Sequence, residues 1–410
     1  MTLLYILLSL CFISFYYYYY RDFLCPHIIF LSSWLLACSF SCIDYDDFMA
    51  PWCEEMYLVT ILSALTYWLG SLCFCSRVRK RKYVQKEEVV STFNYLLFAL
   101  YLICLSCFIV EWVVGGMGTV LTADLSGDVK TQLSDAAIPG IHYGSLFLPY
   151  VAIIAIYAYM NSFSKIYRRA YFVIIFSIIA ISIFCNLSRG DMLIYILAFI
   201  FIYSRYEKIS KRLIFILIII LISIFIGFMF LRTDEDSIVM QTANNPYVSI
   251  FYSYIATCYA NLNDYIMANH PYHWMGNATL APLWTLTGMK NDATVILTEQ
   301  LDVFNATTYL YGFYHDYKLL GIVVFPFIIG AFVAFVYHNT IYGRSLWIIL
   351  LATLQKAITV PFFGNYFSGE FVNIFPFLFT LLFIMMVFSF KIVCRINKQK
   401  TYAHSFSNQY

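Results

Sequence analysis

The residues best placed to do chemistry stand where long apolar runs end. Asn186-Leu187-Ser188-Arg189-Gly190-Asp191 makes a tight hairpin between two such runs. Ser188 and Asp191 have capping-box spacing, so Ser188 is expected to cap the helix that follows. Arg189 then falls in the first turn, where the helix dipole disfavours a cation unless an anion sits there too. Free N–H groups and a guanidinium converging on one point would hold an oxyanion. The competing reading, that Arg189 snorkels to the interface or pairs with Asp191, stays open. Arg232 closes the apolar run 213–231 at a comparable depth. Arg189 and Arg232 together would clamp a diphosphate, unless Asp234, Glu235 or Asp236 takes the second guanidinium.

A second candidate set lies in residues 305–321. Asn305, Tyr309, His315 and Asp316 precede an apolar helix that contains Pro326 and Gly330. His315 and Asp316 sit where the chain returns to the apolar phase, and ionisable groups there are functional candidates. A histidine could serve as a general base near neutral pH; an ordinary helix cap is the alternative. His270 and His273 flank Pro271, which argues against a shared metal-binding helix face, and no metal or cofactor is expected. Asp44, Asp46 and Asp47 read as solvated loop charge. Glu111, Lys356 and Glu370 lie within or beside apolar runs and are expected to face protein rather than lipid. Nothing resembles a phosphate-binding glycine loop or a Ser-His-Asp arrangement.

The elements that must position these groups follow from composition. Of 410 residues, 62% are hydrophobic and 12% charged, against roughly 25% charged in a soluble domain. Apolar runs long enough to cross about 30 Å of hydrocarbon recur from end to end. Their blocky pattern, without period-two alternation, predicts helices rather than barrel strands. The fold class is therefore all-α and polytopic, with about eleven transmembrane helices. The expected spans are 2–20, 26–43, 57–76, 92–114, 145–163, 171–187, 190–204, 213–231, 319–337, 345–363 and 372–393. Residues 246–262 are expected to lie on, or dip into, the outer face. The Tyr16–Tyr20 run reads as an interfacial aromatic anchor. Three parts result: an N-terminal bundle over 1–231, a long segment over 232–318, and C-terminal helices with a basic tail over 319–410.

Charge gives the bundle a direction. Nineteen of the 25 Lys and Arg fall in Arg21, the 77–86 cluster, the loop after Ser164, the 205–212 loop, Arg344 and the C-terminal tail. The positive-inside rule places these in the cytoplasm, with the N-terminus outside and the C-terminus inside. The basic residues sit in short clusters between apolar runs, which gives no nucleic-acid footprint. The 232–318 segment is then external, and a long, aromatic-rich external segment is a place where function concentrates.

Ser188-Arg189-Gly190 at an outward hairpin, the long external segment, and the pattern Asn305-x-Thr-x-Tyr309…Tyr314-x-Asp316…Gly321 resemble the O-antigen (Wzy-type) polymerases, the oligosaccharide repeat-unit polymerases of bacterial surfaces. The family would read Asp-Phe-Gly where this chain has Asp316-Tyr317-Lys318. The resemblance implies a GT-C-like bundle in the bacterial inner membrane with a periplasmic N-terminus. It implies transfer of a growing glycan from undecaprenyl diphosphate to a hydroxyl of the next lipid-linked repeat unit. Arg189, Arg232 and Ser188 would bind the diphosphate, and His315 or Asp316 would be the base. Tyr247, Trp274, Trp284, Asn305 and Tyr309 would line a sugar groove. A chain-length regulator protein is an implied partner. The alternatives are a lipid-linked glycan flippase or transporter, or another membrane transferase such as an O-antigen ligase.

Overall fold

The computed structural model describes residues 1–43, 50–78, 91–114, 140–185, 189–210, 246–269, 276–287, 306–342, 346–367 and 374–387, with isolated positions between them. Among these residues there is no strand. The apolar runs become α1 (Thr2–Tyr20), α2 (Pro26–Ser41), α3 (Glu54–Leu72), α4 (Ser91–Val113), α5 (Ile141–Leu146), α6 (Leu148–Asn161), α7 (Lys165–Phe184) and α8 (Arg189–Tyr206). After these come α9 (Pro246–Met267), α10 (Ala281–Thr287), α11 (Tyr311–Ile341), α12 (Trp347–Thr353) and α13 (Gln355–Thr359). The shorter apolar helix α14 covers Ile374–Val387.

Among the described residues, five helices are long and apolar enough to cross a membrane: α1, α4, the continuous stretch Ile141–Asn161, α7 and α11. Their outward faces are apolar as well. Leu102, Ile103, Phe172 and Phe176 are 58–64% exposed. Water would penalise such surfaces along whole helices, whereas lipid tails do not. The protein is thus built as a helical membrane protein.

The helix ends meet at two opposite ends of the bundle. At one end, Arg205 donates from Nη2 to Asp22 Oδ2 at 2.8 Å, and the Tyr337 hydroxyl donates to the same oxygen at 3.0 Å. Val78 N–H reaches the Tyr19 carbonyl and Val84 N–H the Arg205 carbonyl. Asn161 donates to the Tyr206 hydroxyl at 2.6 Å. This is the basic end. The exposed Lys86–Glu207 pair there spans 2.9 Å and holds the Glu207 carboxyl below its ordinary pKa. A pair so exposed adds little stability.

Burial revises one expectation here. Tyr16 and Tyr20 face the core, Tyr16 fully buried and bonded to Ser71. Only part of the tyrosine run is interfacial: Tyr18 is exposed, with the Arg77 guanidinium 4.6 Å above its ring. A helix repeats every 3.6 residues, so five consecutive tyrosines cannot all share one environment.

At the opposite, far end, Asn263 accepts from Cys53 N–H at 2.8 Å and donates to the Pro51 carbonyl. Asn261 donates to the Ala306 carbonyl at 2.6 Å, and Tyr309 N–H donates to the Pro361 carbonyl at 2.9 Å. Helix α9 packs along the far half of α2, with the Tyr252 hydroxyl on the Ser41 carbonyl and the Tyr259 hydroxyl on the Trp34 carbonyl. It thus packs inside the bundle.

The axis of the bundle is the pair α3 and α11, which run parallel. The Tyr314 hydroxyl donates to Glu55 at 2.7 Å at the far end, and Thr66 donates to the Ile322 carbonyl at 3.1 Å midway. Ser76 and His338 meet at 3.5 Å at the basic end. Glycines let the backbones touch. A Cβ on Gly70 would lie 2.0 Å from the Phe327 carbonyl oxygen, and one on Gly330 would lie 2.2 Å from that of Tyr67. In lipid, where association depends on packing rather than on water release, close small-residue contacts of this kind hold helices together.

Helix α11 is not straight. Lys318 has φ 51°, ψ −135°, which breaks it in two. Phe313 and Phe325 stack with centroids 4.6 Å apart, although twelve residues of straight helix would separate them by about 18 Å. The chain therefore turns back on itself at Lys318. Gly321 permits the turn, since a Cβ there would sit 2.1 Å from the Phe313 carbonyl oxygen. Residues 319–341 form the spanning piece, about 34 Å long, and residues 311–317 form a short corner beyond it.

Gly330→Val should separate α3 from α11 and cost about 1–3 kcal/mol or more, as overpacking does. Thermal unfolding of the detergent-solubilised protein should show a clear drop. Gly312→Ala, whose Cβ would meet Ala278 no closer than 3.3 Å, should change it much less.

Candidate functional site

The far end gathers three sets of buried or half-buried polar groups. The first is the corner of α11. Asp316 is fully buried and accepts from Ala278 N–H at 3.1 Å and Thr279 N–H at 2.6 Å. His315 Nδ1 lies 2.8 Å from Asp316 Oδ1, also fully buried. Thr279 Oγ1 returns a bond to the Gly312 carbonyl at 3.2 Å. One carboxylate thus ties the turn 276–280, an excursion of the long segment, to the helix that re-enters the bundle. Neither His315 nor Asp316 reaches the surface, so in this geometry they position the chain rather than present a base to a substrate from outside.

Around that corner stand Tyr265, Tyr311 and Tyr314. Tyr265 lies 5.0 Å from Tyr311 and 5.4 Å from His315, ring centroid to ring centroid. Lys318 Nζ sits 5.0 Å from the centroids of both Tyr265 and Tyr314. A non-glycine residue at such φ and ψ costs roughly 1–3 kcal/mol and persists only where its surroundings demand it.

The second set joins α4 to α5. Glu111, fully buried near the end of α4, accepts from Ser145 and from Ile138 N–H and lies 3.0 Å from His142 Nδ1. The His142 side chain is 33% exposed. A buried carboxylate on one ring nitrogen of a part-exposed imidazole is an arrangement in which imidazole can work as a general base. The sequence marks Glu111 as a charge needing a protein partner. It does not reveal the partner, which follows a 27-residue connection.

The third set surrounds the start of α8. This helix begins at Arg189. It packs against α6, α12 and α13. Asp191, in its first turn, is within electrostatic range of the Tyr150 and Tyr195 hydroxyls, and Tyr366 is within range of Tyr150. Lys356 Nζ lies 4.1 Å from the Tyr366 ring centroid. Lys356 therefore stands on a helix, α13, that packs against α8, a neighbour that sequence spacing alone could not identify.

The remaining expected site residues divide clearly. Tyr309 is fully buried, its ring against Trp34 at 4.9 Å and Phe30 at 5.3 Å, so it packs the core rather than lining an open groove. Trp284 is half-buried in α10 and donates to the Gly276 carbonyl at 3.3 Å. Ser188, Arg232, Trp274 and Asn305 lie outside the described residues, as do the side chains of Arg189 and Tyr247. Asp44, Asp46, Asp47, His270, His273 and Glu370 lie outside them too. Among the described residues no three His, Cys, Asp or Glu side chains form a metal-binding group.

No protein-family model matches this chain, and neither a curated protein nor a solved structure is significantly similar to it. The geometry of the far end therefore carries the functional argument.

Asp316→Ala would leave two backbone donors and an imidazole without their acceptor. The expected loss is about 1–3 kcal/mol for each buried donor left unpaired. It should appear as a lower unfolding temperature and faster proteolysis within 276–280, with Asp316→Asn intermediate.

Proposed function

We propose that this protein is a membrane glycosyltransferase of the O-antigen polymerase type. It transfers a growing glycan from undecaprenyl diphosphate to a hydroxyl of the next lipid-linked repeat unit. The proposal includes an eleven-span GT-C-like bundle in a bacterial inner membrane, with the far end periplasmic and the basic end cytoplasmic. The excess of Lys and Arg at the basic end supports that orientation.

The observation that carries the reading is the Glu111–His142 pair at the far end, close to the start of α14 and on the same helical stretch as Tyr150. Tyr143, next to His142, packs on Phe375 at 5.5 Å. In the proposed reaction Glu111 holds His142 Nδ1–H, and Nε2 takes the proton of the acceptor hydroxyl. That oxygen attacks the anomeric carbon of the donor sugar. The bond from this carbon to the diphosphate oxygen breaks, and its electron pair leaves with the undecaprenyl diphosphate. A diphosphate leaving group needs charge stabilisation more than protonation. Arg189, Arg232 and Ser188 are assigned that role. The base is His142 rather than His315 or Asp316, because a base must offer an exposed atom to its substrate. No nucleotide sugar or metal is invoked.

Deleting the gene should reduce surface glycan to a single repeat unit in electrophoretic length profiles. Arg189→Ala and His142→Asn should each leave the protein in the membrane yet give the same profile, the second through a rate loss of about 10²–10⁴-fold. Normal chain lengths in the deletion strain would remove the polymerase reading. Normal lengths in His142→Asn alone would remove only the base assignment.

A further inference from the structure

The corner of α11 holds a feature the proposed reaction does not use. Lys318 is 6% exposed, and its Nζ has no hydrogen-bond partner among the described residues. An ammonium has three donors and no acceptor capacity, and burying it without an oxygen partner is unfavourable. The rings of Tyr265 and Tyr314 compensate in part by their negative faces. The nearby Glu55 acts on Lys318 electrostatically but is engaged by the Tyr314 hydroxyl. The backbone makes the residue choice stranger still. At φ 51°, ψ −135° the position suits glycine, and lysine is strained there. Folding alone would favour glycine at this corner.

We infer that Lys318 anchors a binding subsite for a phosphoryl oxyanion at headgroup depth, walled by Tyr265 and Tyr314. Two features converge on that chemistry: the unpartnered donors of Nζ and the depth. Lys318 is the residue at which the 23-residue spanning piece 319–341 begins, which is where a lipid phosphate lies. The spanning piece also starts its own helix here, and a helix start favours an anion. The identity of the lipid rests on the reaction proposed above. Two lipid diphosphates must meet in that reaction, and Arg189 with Arg232 accounts for one of them. The subsite itself does not depend on the reaction.

The test uses the full chain in detergent, with thermal unfolding as the readout. The probes are farnesyl diphosphate and inorganic diphosphate, and the variants are Lys318→Gly and Lys318→Met. Farnesyl diphosphate at 100 times its dissociation constant should stabilise the wild type, by roughly 2 °C or more. Lys318→Gly should unfold at a higher temperature than the wild type without ligand, and should lose the part of the farnesyl diphosphate shift that Arg189 and Arg232 do not supply. Lys318→Met, which keeps the apolar stem between the two tyrosines, should lose the same part. Stabilisation by inorganic diphosphate as strong as by the prenyl form would point to a free-phosphate site rather than a lipid headgroup site. Three results would overturn the inference: no shift in the wild type with either probe, a full shift retained in both variants, or a ligand-free Lys318→Gly protein less stable than the wild type. None of these depends on glycan length profiles, so failure here and failure of the polymerase reading are separable.

Discussion

The parallel contact between α3 and α11 sets where the far-end groups can stand. Gly70 and Gly330 bring the two backbones together over the middle of the bundle. Once that contact is made, the Tyr314–Glu55 bond and the corner at Lys318 follow, because the short piece 311–317 has to leave the axis where α3 begins. Asp316 then reaches from this corner to the turn 276–280. The long segment between α8 and α11 is thereby attached to the bundle at a defined point. The far end is arranged by a backbone-level constraint inside the apolar phase, and its polar groups only complete it.

Buried charge is used differently at the two ends. At the basic end, Arg205, Asp22 and Tyr337 bond to one another, and the cluster ties the α1–α2 connection to α8 and α11. Taking two charges out of water is costly, and such clusters persist when geometry satisfies nearly every donor and acceptor. That cluster is an internal fastening. At the far end, two nitrogen-bearing side chains are held by other means. His142 keeps a third of its side chain exposed while Glu111 holds it, and Lys318 has its ammonium between aromatic faces.

Much of the fold is legible in the sequence, because in lipid a helix of about twenty apolar residues is nearly the only solution for an unpaired chain segment. Helix α1 coincides with its expected span, and α4 agrees within one residue. The corner at Lys318 was legible only as the point where the apolar run of α11 begins. Its reversal depends on Gly321 packing against a carbonyl eight residues earlier, which no periodicity encodes. The site was read less well than the fold. Glu111 and Lys356 stand out as charges in apolar runs, but their partners His142 and Tyr366 are set by tertiary packing. Tyr309 and His315 were attractive because aromatic and imidazole groups suit sugars and bases. Burial, which the sequence does not give for a helix with apolar neighbours on all sides, assigns them to the core.

The central claim is that the far end joins two lipid-linked glycans without any nucleotide sugar. The most direct measurement is reconstitution of the purified protein into vesicles that carry undecaprenyl diphosphate-linked repeat units, with product length read by electrophoresis. The account predicts a ladder of products longer than one repeat unit, with undecaprenyl diphosphate released in proportion to the bonds formed. Movement of the lipid-linked unit between leaflets with no lengthening would contradict it and would make the protein a transporter.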